Sequence, residues 1–315
     1  MGSTAWPLYV PATNDTRGKP MCLRETTASA PHRHDHQPTA AGAGPRDRRS
    51  FLRAGAVAAA GAAVTSVGAV TPAAASGDAD RHGHDHRRRR RDVVDLTHRF
   101  TTDFPTFTGV QPTRETATTI ADDGFYSQNW TFTEHTATHV DAPGHFAPGM
   151  PLVDELDPDD LVAPLVVIDI RRRARRDPNA EVTVDDLRRD ERRHGRIPRG
   201  ALVCMWSGWA RRADDPAAFL GGPAFPEYNF PGFGVEAAMW LAERRDVAGI
   251  GVDTTSLDPG SSTTFAVHNE FLATGRYGVE NLANLGRVRR RHRRAVVGVV
   301  PWQDGSGGPC RVLAL

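Results

Sequence analysis

His135, His139, Asp141 and His145 stand together in Glu134-His-Thr-Ala-Thr-His-Val-Asp-Ala-Pro-Gly-His-Phe146, the densest run of potential metal ligands in the chain. Neutral imidazoles and a carboxylate hold a borderline Lewis acid such as zinc or manganese, and an ion held that way makes a nucleophile of water. Three protein ligands with an open position are the arrangement of a catalytic ion, whereas a structural zinc is usually closed by four ligands, commonly with cysteine. No cysteine lies in this stretch. His135 and His139, four residues apart, could share one face of a helical turn, but Asp141 could not, and Pro143 and Gly144 end any helix. The expectation is a turn or irregular loop directly after a strand at 129–133. A merely histidine-rich surface loop is the competing reading, and Val140, Pro143 and Phe146 argue against it.

The elements that must position these groups read as a mixed sheet with helices packed on it, an α/β architecture without strict βαβ alternation. Short apolar or β-branched runs bounded by Gly, Pro and charge predict strands at 93–96, 129–133, 165–170, 201–206, 247–252, 295–300 and 311–315. Helices are expected at 184–194 with Thr183 as N-cap, at 235–245 after Gly234, and at 264–274. Arginine clusters at 171–176 and 287–294 flank strands and read as solvated edges.

Ahead of this region, Asp47-Arg48-Arg49-Ser50-Phe51-Leu52-Arg53 precedes a weakly apolar Ala/Gly/Val run and Ala73-Ala74-Ala75. This pattern resembles a twin-arginine export signal with an A-x-A cleavage site, so residues 1–75 are expected to be removed. The run is short and poor in strongly hydrophobic residues, so no stable membrane span is expected after cleavage. Residues 76–92 carry His82, His84, His86 and five consecutive arginines without an apolar anchor, and should form a disordered linker. Residues 93–315 are left as one domain, destined for the periplasm, the cell envelope or the outside. With 39 Lys plus Arg against 38 Asp plus Glu, the charge balance gives no reason to expect a nucleic-acid partner. Three cysteines do not make a disulfide framework, so Cys204 and Cys310 are expected to be separate thiols, with a pairing of the two after export into an oxidising compartment as the alternative.

His135 to Phe146 resembles the signature of the metal-dependent cyclase family, which includes bacterial kynurenine formamidases and isatin hydrolases. Three later segments are similar to that family in the same order: Phe230-Pro-Gly-Phe-Gly-Val-Glu-Ala-Ala-Met-Trp-Leu-Ala-Glu243, Gly249-Ile-Gly-Val-Asp-Thr-Thr-Ser-Leu-Asp-Pro-Gly260, and Val267-His268 through to Glu280-Asn-Leu-Ala-Asn-Leu285. The resemblance implies a single swivelling β/β/α domain. It implies that His135, His139 and Asp141 bind one divalent ion, zinc or manganese, with Asp141 also facing a second position completed by His268 and Glu280. His145 would be the acid/base, and Asp253, Ser256 and Asp258 would orient the ligands. From the residues alone, His268 and Glu280 read as helix-surface groups. Phe107 stands where the kynurenine formamidases present a Trp to substrate, and Ala137 replaces the family's usual Gly.

The implied reaction is hydrolysis of a non-peptide C–N bond, with the pKa of water lowered from about 9 on aqueous zinc towards roughly 7. The nearest named activity is that of an arylformamidase in tryptophan catabolism, converting N-formylkynurenine to kynurenine and formate. A cyclic amide or a lactone is the alternative small-molecule substrate, and a homo-oligomer is the expected assembly. In a different class, the chain would be an exported metal scavenger using the linker histidines as well as the motif.

Overall fold

The structure, a computed structural model, describes residues 93–288 and 293–315. The export segment and linker expected over 1–92 lie outside the described residues, as does part of the second arginine cluster. Among the described residues the strands are β1 Val94–Asp95, β2 Thr113–Thr118, β3 Ser127–Thr131, β4 His139–Asp141, β5 Val162–Asp169 and β6 Glu181–Val182. They continue with β7 Leu202–Trp206, β8 Gly232–Phe233, β9 Gly249–Val252, β10 Tyr277–Glu280, β11 Arg294–Val299 and β12 Gly307–Ala314.

One eight-stranded sheet runs β1-β12-β11-β5-β7-β9-β10-β4, and an additional pairing of β4 with β12 closes it into a ring. β12 makes the closure by carrying β11 on one edge, and on the other β4 beside residues 307–309 and β1 beside residues 313–314. β5, β7, β9 and β10 run parallel, whereas β4, β11, β12 and β1 are joined by antiparallel pairings. β2 and β3 form a separate hairpin.

The period-two alternation of the strands assigns the two faces. Leu165, Leu202, Cys204, Val279, Val297, Val312 and Val140 come from six strands around the ring into one apolar cluster, its interior. Their neighbours Val166, Ile168, Val203, Met205, Ile250 and Val252 face outward, where they pack with Leu187, Ala238 and Leu241 of two covering helices. Those helices span Val184–His194 and Val235–Arg245, as expected from sequence. The first is capped by Thr183, whose hydroxyl accepts from the Asp186 amide at 3.3 Å while the Asp186 carboxylate accepts from the Thr183 amide at 3.0 Å. No helix among the described residues is long and apolar enough to cross a membrane.

Four expectations are corrected. The motif is not all loop, because His139 and Asp141 lie on β4. The helix expected over 264–274 is instead a short turn ending in a π-helix, His268–Leu272. Phe265, at φ 49°, is left-handed and breaks an α-helix there, and the Asn269 side chain bonds the carbonyls of Thr264 and Phe265 at 2.9 Å. Glu280 is not on a helix surface but at the buried end of β10. The arginines at 171–176 are only partly solvated: Arg171 pairs with Asp169 at 2.8 Å and lies 3.4 Å from the Trp206 ring centroid, and Arg173 pairs with Asp186. Cys204 and Cys310 are both buried free thiols.

Candidate metal centre

The register of β4 builds the site. With Val140 turned into the ring, His139 and Asp141 must point to the other face. On β10, His139 lies opposite Glu280 and Asp141 opposite Gly278; on β12, His139 lies opposite Pro309 and Asp141 opposite Gly307. Asp141 is thus flanked by glycine on both sides. A Cβ on Gly278 would stand 3.1 Å from Asp141 Oδ2, and one on Gly307 would stand 2.7 Å from His135 Cε1. The absence of side chains at both positions leaves space for histidines arriving from elsewhere.

Those histidines come from three segments. His135, half-buried, places Nδ1 2.7 Å from Asp141 Oδ1 and Nε2 2.9 Å from Ser306 Oγ. His145, in the 3-10 turn Pro143–His145, stacks on the His135 ring with centroids 3.8 Å apart. His268 is brought in by the π-turn, its Nε2 3.2 Å from Glu280 Oε1 and 3.7 Å from Asp141 Oδ2. His139 Nε2 lies 3.3 Å from Asp141 Oδ1 and 3.4 Å from Glu280 Oε2. Six side chains from distant parts of the sequence therefore share one small volume. Two groups within it have ligand atoms mutually within 4.8 Å: His135, Asp141 and His145, and His139, Asp141 and Glu280. Asp141 belongs to both, the shared position the resemblance implies, but His139 groups with Glu280 rather than with His135, and His145 sits among the ligand atoms rather than apart from them.

Each buried histidine is oriented by its second nitrogen. His139 Nδ1 donates to the Ala137 carbonyl at 2.8 Å, and His268 Nδ1 donates to Asp258 Oδ2 at 2.6 Å, leaving both Nε2 atoms facing the carboxylates. Ala137 adopts φ 55°, the left-handed conformation that a glycine would take without strain, so the backbone tolerates the Cβ at that motif position. Its carbonyl also accepts from Asn281 Nδ2 at 2.8 Å. Ser256 acts one step further out, its Oγ accepting from the Asp258 amide at 3.2 Å. Asp253, in contrast, reaches no ligand: its carboxylate accepts from the amides of Ser207, Gly208 and Trp209 at 2.8–3.1 Å and from the Ser207 hydroxyl. It holds the turn after β7, and burial raises its pKa against those donors.

Phe107 is half-buried in an aromatic group, with ring centroids 5.3 Å from Tyr228, 5.5 Å from Phe225 and 5.8 Å from Phe265. Phe265 in turn lies 6.0 Å from the His268 ring, and Phe146 lies 4.6 Å from it. Phe107 is thus one ring removed from the ligands. A cavity of about 720 Å³ lies elsewhere: it is lined by Phe100, Trp130, Ala137 and Thr138 and includes none of the ligands.

The residues fit a divalent cation. His139 Nε2 and Asp141 Oδ2 are buried without a hydrogen-bond partner, a costly state for two polar atoms unless an ion satisfies them. In the metal-free chain a proton takes that role. Burial opposes a charged imidazole at His139, yet Asp141 and Glu280 override it and raise its pKa to about 10. Burial likewise opposes charging of His268, and Asp141, Asp258 and Glu280 raise it well above the ordinary value. Asp141 is held below the usual carboxylate range, burial being outweighed by the surrounding imidazoles. His145 goes the other way: burial, reinforced by its imidazole neighbours against the pull of Asp141, pushes it down to about 3. In the metal-free chain its ring is uncharged.

Comparison with known proteins places this geometry in context. A family model described as "Putative cyclase" matches residues 94–259, ending before His268 and Glu280. An isatin hydrolase of Roseibium aggregatum is 31% identical over 204 residues, covering 62% of this chain and 77% of that protein. The structure of isatin hydrolase A from Ralstonia solanacearum superposes with a TM-score of 0.66 at 36% identity, over 70% of this chain and 90% of that one. Isatin hydrolase A from Labrenzia aggregata, solved with benzyl benzoate, gives 0.67 at 31% identity, over 70% and 92%.

Proposed function

The chain belongs to the putative cyclase family, and we propose that it is a metal-dependent hydrolase that opens the C–N bond of a cyclic amide fused to an aromatic ring. The observation that carries this reading is the convergence of His135, His139, Asp141, His268 and Glu280 with His139 Nε2 and Asp141 Oδ2 left unpartnered. The substrate class follows from the isatin hydrolases among its relatives. Phe146 and Phe265 beside His268 support it, since offset or edge contact with an aryl ring adds about 0.5–1.5 kcal/mol beyond area burial.

His139, Asp141, His268 and Glu280 would hold one ion, with Asp141 extending towards a second position beside His135 and His145. When bound, a divalent cation supplies Lewis acidity to the carbonyl oxygen and acidifies water. The protein's own groups do the rest. His145, neutral and with an imidazole that makes no hydrogen bond to a described residue, is placed to take a proton from the attacking water and to return it to the departing amide nitrogen. Asp258 and the Ala137 carbonyl keep His268 and His139 turned towards the reaction, and the aromatic rings limit the water around it.

An N-formyl arylamine carries the acyclic counterpart of the same bond, so the arylformamidase activity expected from the motif is the second substrate to test. The experiment is a panel of isatin, N-formylkynurenine and a simple aryl lactone with zinc- and manganese-loaded protein. Turnover of isatin above the others is expected, and no hydrolysis of any of the three defeats the proposal. His145→Ala should keep its metal and lose about 10²–10⁴-fold in rate. A scavenger would instead lose much of its metal capacity when residues 1–92 are removed, and an enzyme would keep both metal and activity.

A further inference from the structure

We propose that Glu134 and Ser306 are positioning residues that fix the tautomer of His135, so that it meets a divalent cation through Nδ1, whereas His139 and His268 do so through Nε2. This rests on the metal-dependent reading above. The argument is one of hydrogen-bond direction. Glu134 Oε2 accepts the Ser306 amide at 3.0 Å, which establishes that oxygen as an acceptor. The Ser306 hydroxyl also donates to Glu134 Oε2, so its only proton is committed. Ser306 Oγ can then only accept in its 2.9 Å contact with His135 Nε2, and the ring proton of a neutral His135 must sit on Nε2. That leaves the Nδ1 lone pair directed at Asp141 Oδ1, 2.7 Å away. Two acceptors facing each other at that distance need either a proton or a metal cation between them.

The same reasoning gives the opposite answer at the other two histidines. The Ala137 carbonyl and the Asp258 carboxylate both accept from Nδ1, at 2.8 and 2.6 Å. The His135 ring is also confined mechanically, stacked at 3.8 Å on His145 on one side and close to β12 at Gly307 on another. A ring so held has little freedom to exchange its nitrogens, and the hydroxyl at position 306 decides which one carries the lone pair.

The test uses zinc and the full chain labelled with ¹⁵N-histidine. Long-range ¹H–¹⁵N spectra of the zinc-loaded protein distinguish Nδ1-bound from Nε2-bound imidazoles, with the His135 signals assigned by their loss in His135→Asn. The expected spectrum shows His135 protonated on Nε2 and the other two ligands protonated on Nδ1. Ser306→Ala should lower zinc affinity about 10–100-fold, the usual cost of losing a partner behind a ligating histidine, and Ser306→Thr should restore it to within a few-fold. Zinc bound with the His135 proton on Nδ1, or unchanged affinity in Ser306→Ala, overturns this inference and leaves the hydrolase reading standing. A chain that binds no zinc or manganese overturns both.

Discussion

Replacing Asp258 by Asn changes one oxygen to an amide and should weaken metal binding about 10–100-fold. The Asp258 carboxylate is fully used: Oδ2 accepts from His268 Nδ1 at 2.6 Å and the His268 amide at 3.1 Å, while Oδ1 accepts from the Val267 amide at 2.9 Å and Ser262 Oγ at 3.3 Å. These donors hold its carboxyl below the usual range in spite of burial. An Asn has one acceptor oxygen for the two sides. If its NH₂ faces His268, Nδ1 must accept, the ring proton moves to Nε2, and the ligating lone pair is lost. If the NH₂ faces Val267 instead, two buried donors oppose each other at a cost of about 1–3 kcal/mol. Either outcome is of the order seen when the group behind a metal-bound histidine is removed, about 10–100-fold or roughly 1.4–2.8 kcal/mol. The assay is competition with a chromophoric chelator at fixed pH, alongside the urea midpoint of the metal-free protein. Affinity within twofold of wild type, with an unchanged midpoint, would refute the claim that Asp258 sets the His268 tautomer.

Three further outcomes follow from the packing and charge of the site. Gly307→Ala should destabilise the fold by about 1–3 kcal/mol, because its Cβ would lie 2.3 Å from the Val140 carbonyl, a backbone atom that cannot step aside; denaturant melts measure this. Ala137→Val should cost more than Ala137→Gly, since a β-branched residue is severely strained at φ 55° and glycine is not; the two midpoints compared with wild type decide it. The metal-free protein should lose stability as pH rises from about 6.5 towards 10. A histidine raised to about 10 in the folded state contributes fully below its unfolded value and loses that contribution through its folded one. Urea midpoints across that range should fall in the metal-free protein and stay flatter with zinc, where the cation replaces the proton.

Much of this was legible in the chain, and the parts that were not have physical reasons. The helices Val184–His194 and Val235–Arg245 follow from period and capping, which are local properties. β4 was hidden because its three residues are mostly ligands and end at a proline turn, so the apolar alternation that marks a strand is absent; only pairing with β10 and β12 makes it one. Glu280 looked like a solvated carboxylate since nothing nearby reveals that its strand ends opposite His139. His268 needed the kink at Phe265 and a widened turn, both set by tertiary contacts. Ser306 carried one faint signal, its place in Gly305-Ser306-Gly307-Gly308, where glycines before a strand mark close backbone approach. Asp253 was misplaced because an acid at a strand end reads alike whether it serves a metal or, as here, the amides of a neighbouring turn.

Closure of the ring through β12 also bears on how the molecule is made. The ribosome delivers β4 well before residues 307–309, so the nascent chain holds its histidines on a strand with one bare edge, and such edges template association with other chains. Pairings this far apart in sequence form slowly. Products released ahead of residue 307 would leave both β4 and β11 uncovered, and they should appear as aggregates in the insoluble fraction rather than as weakened enzyme.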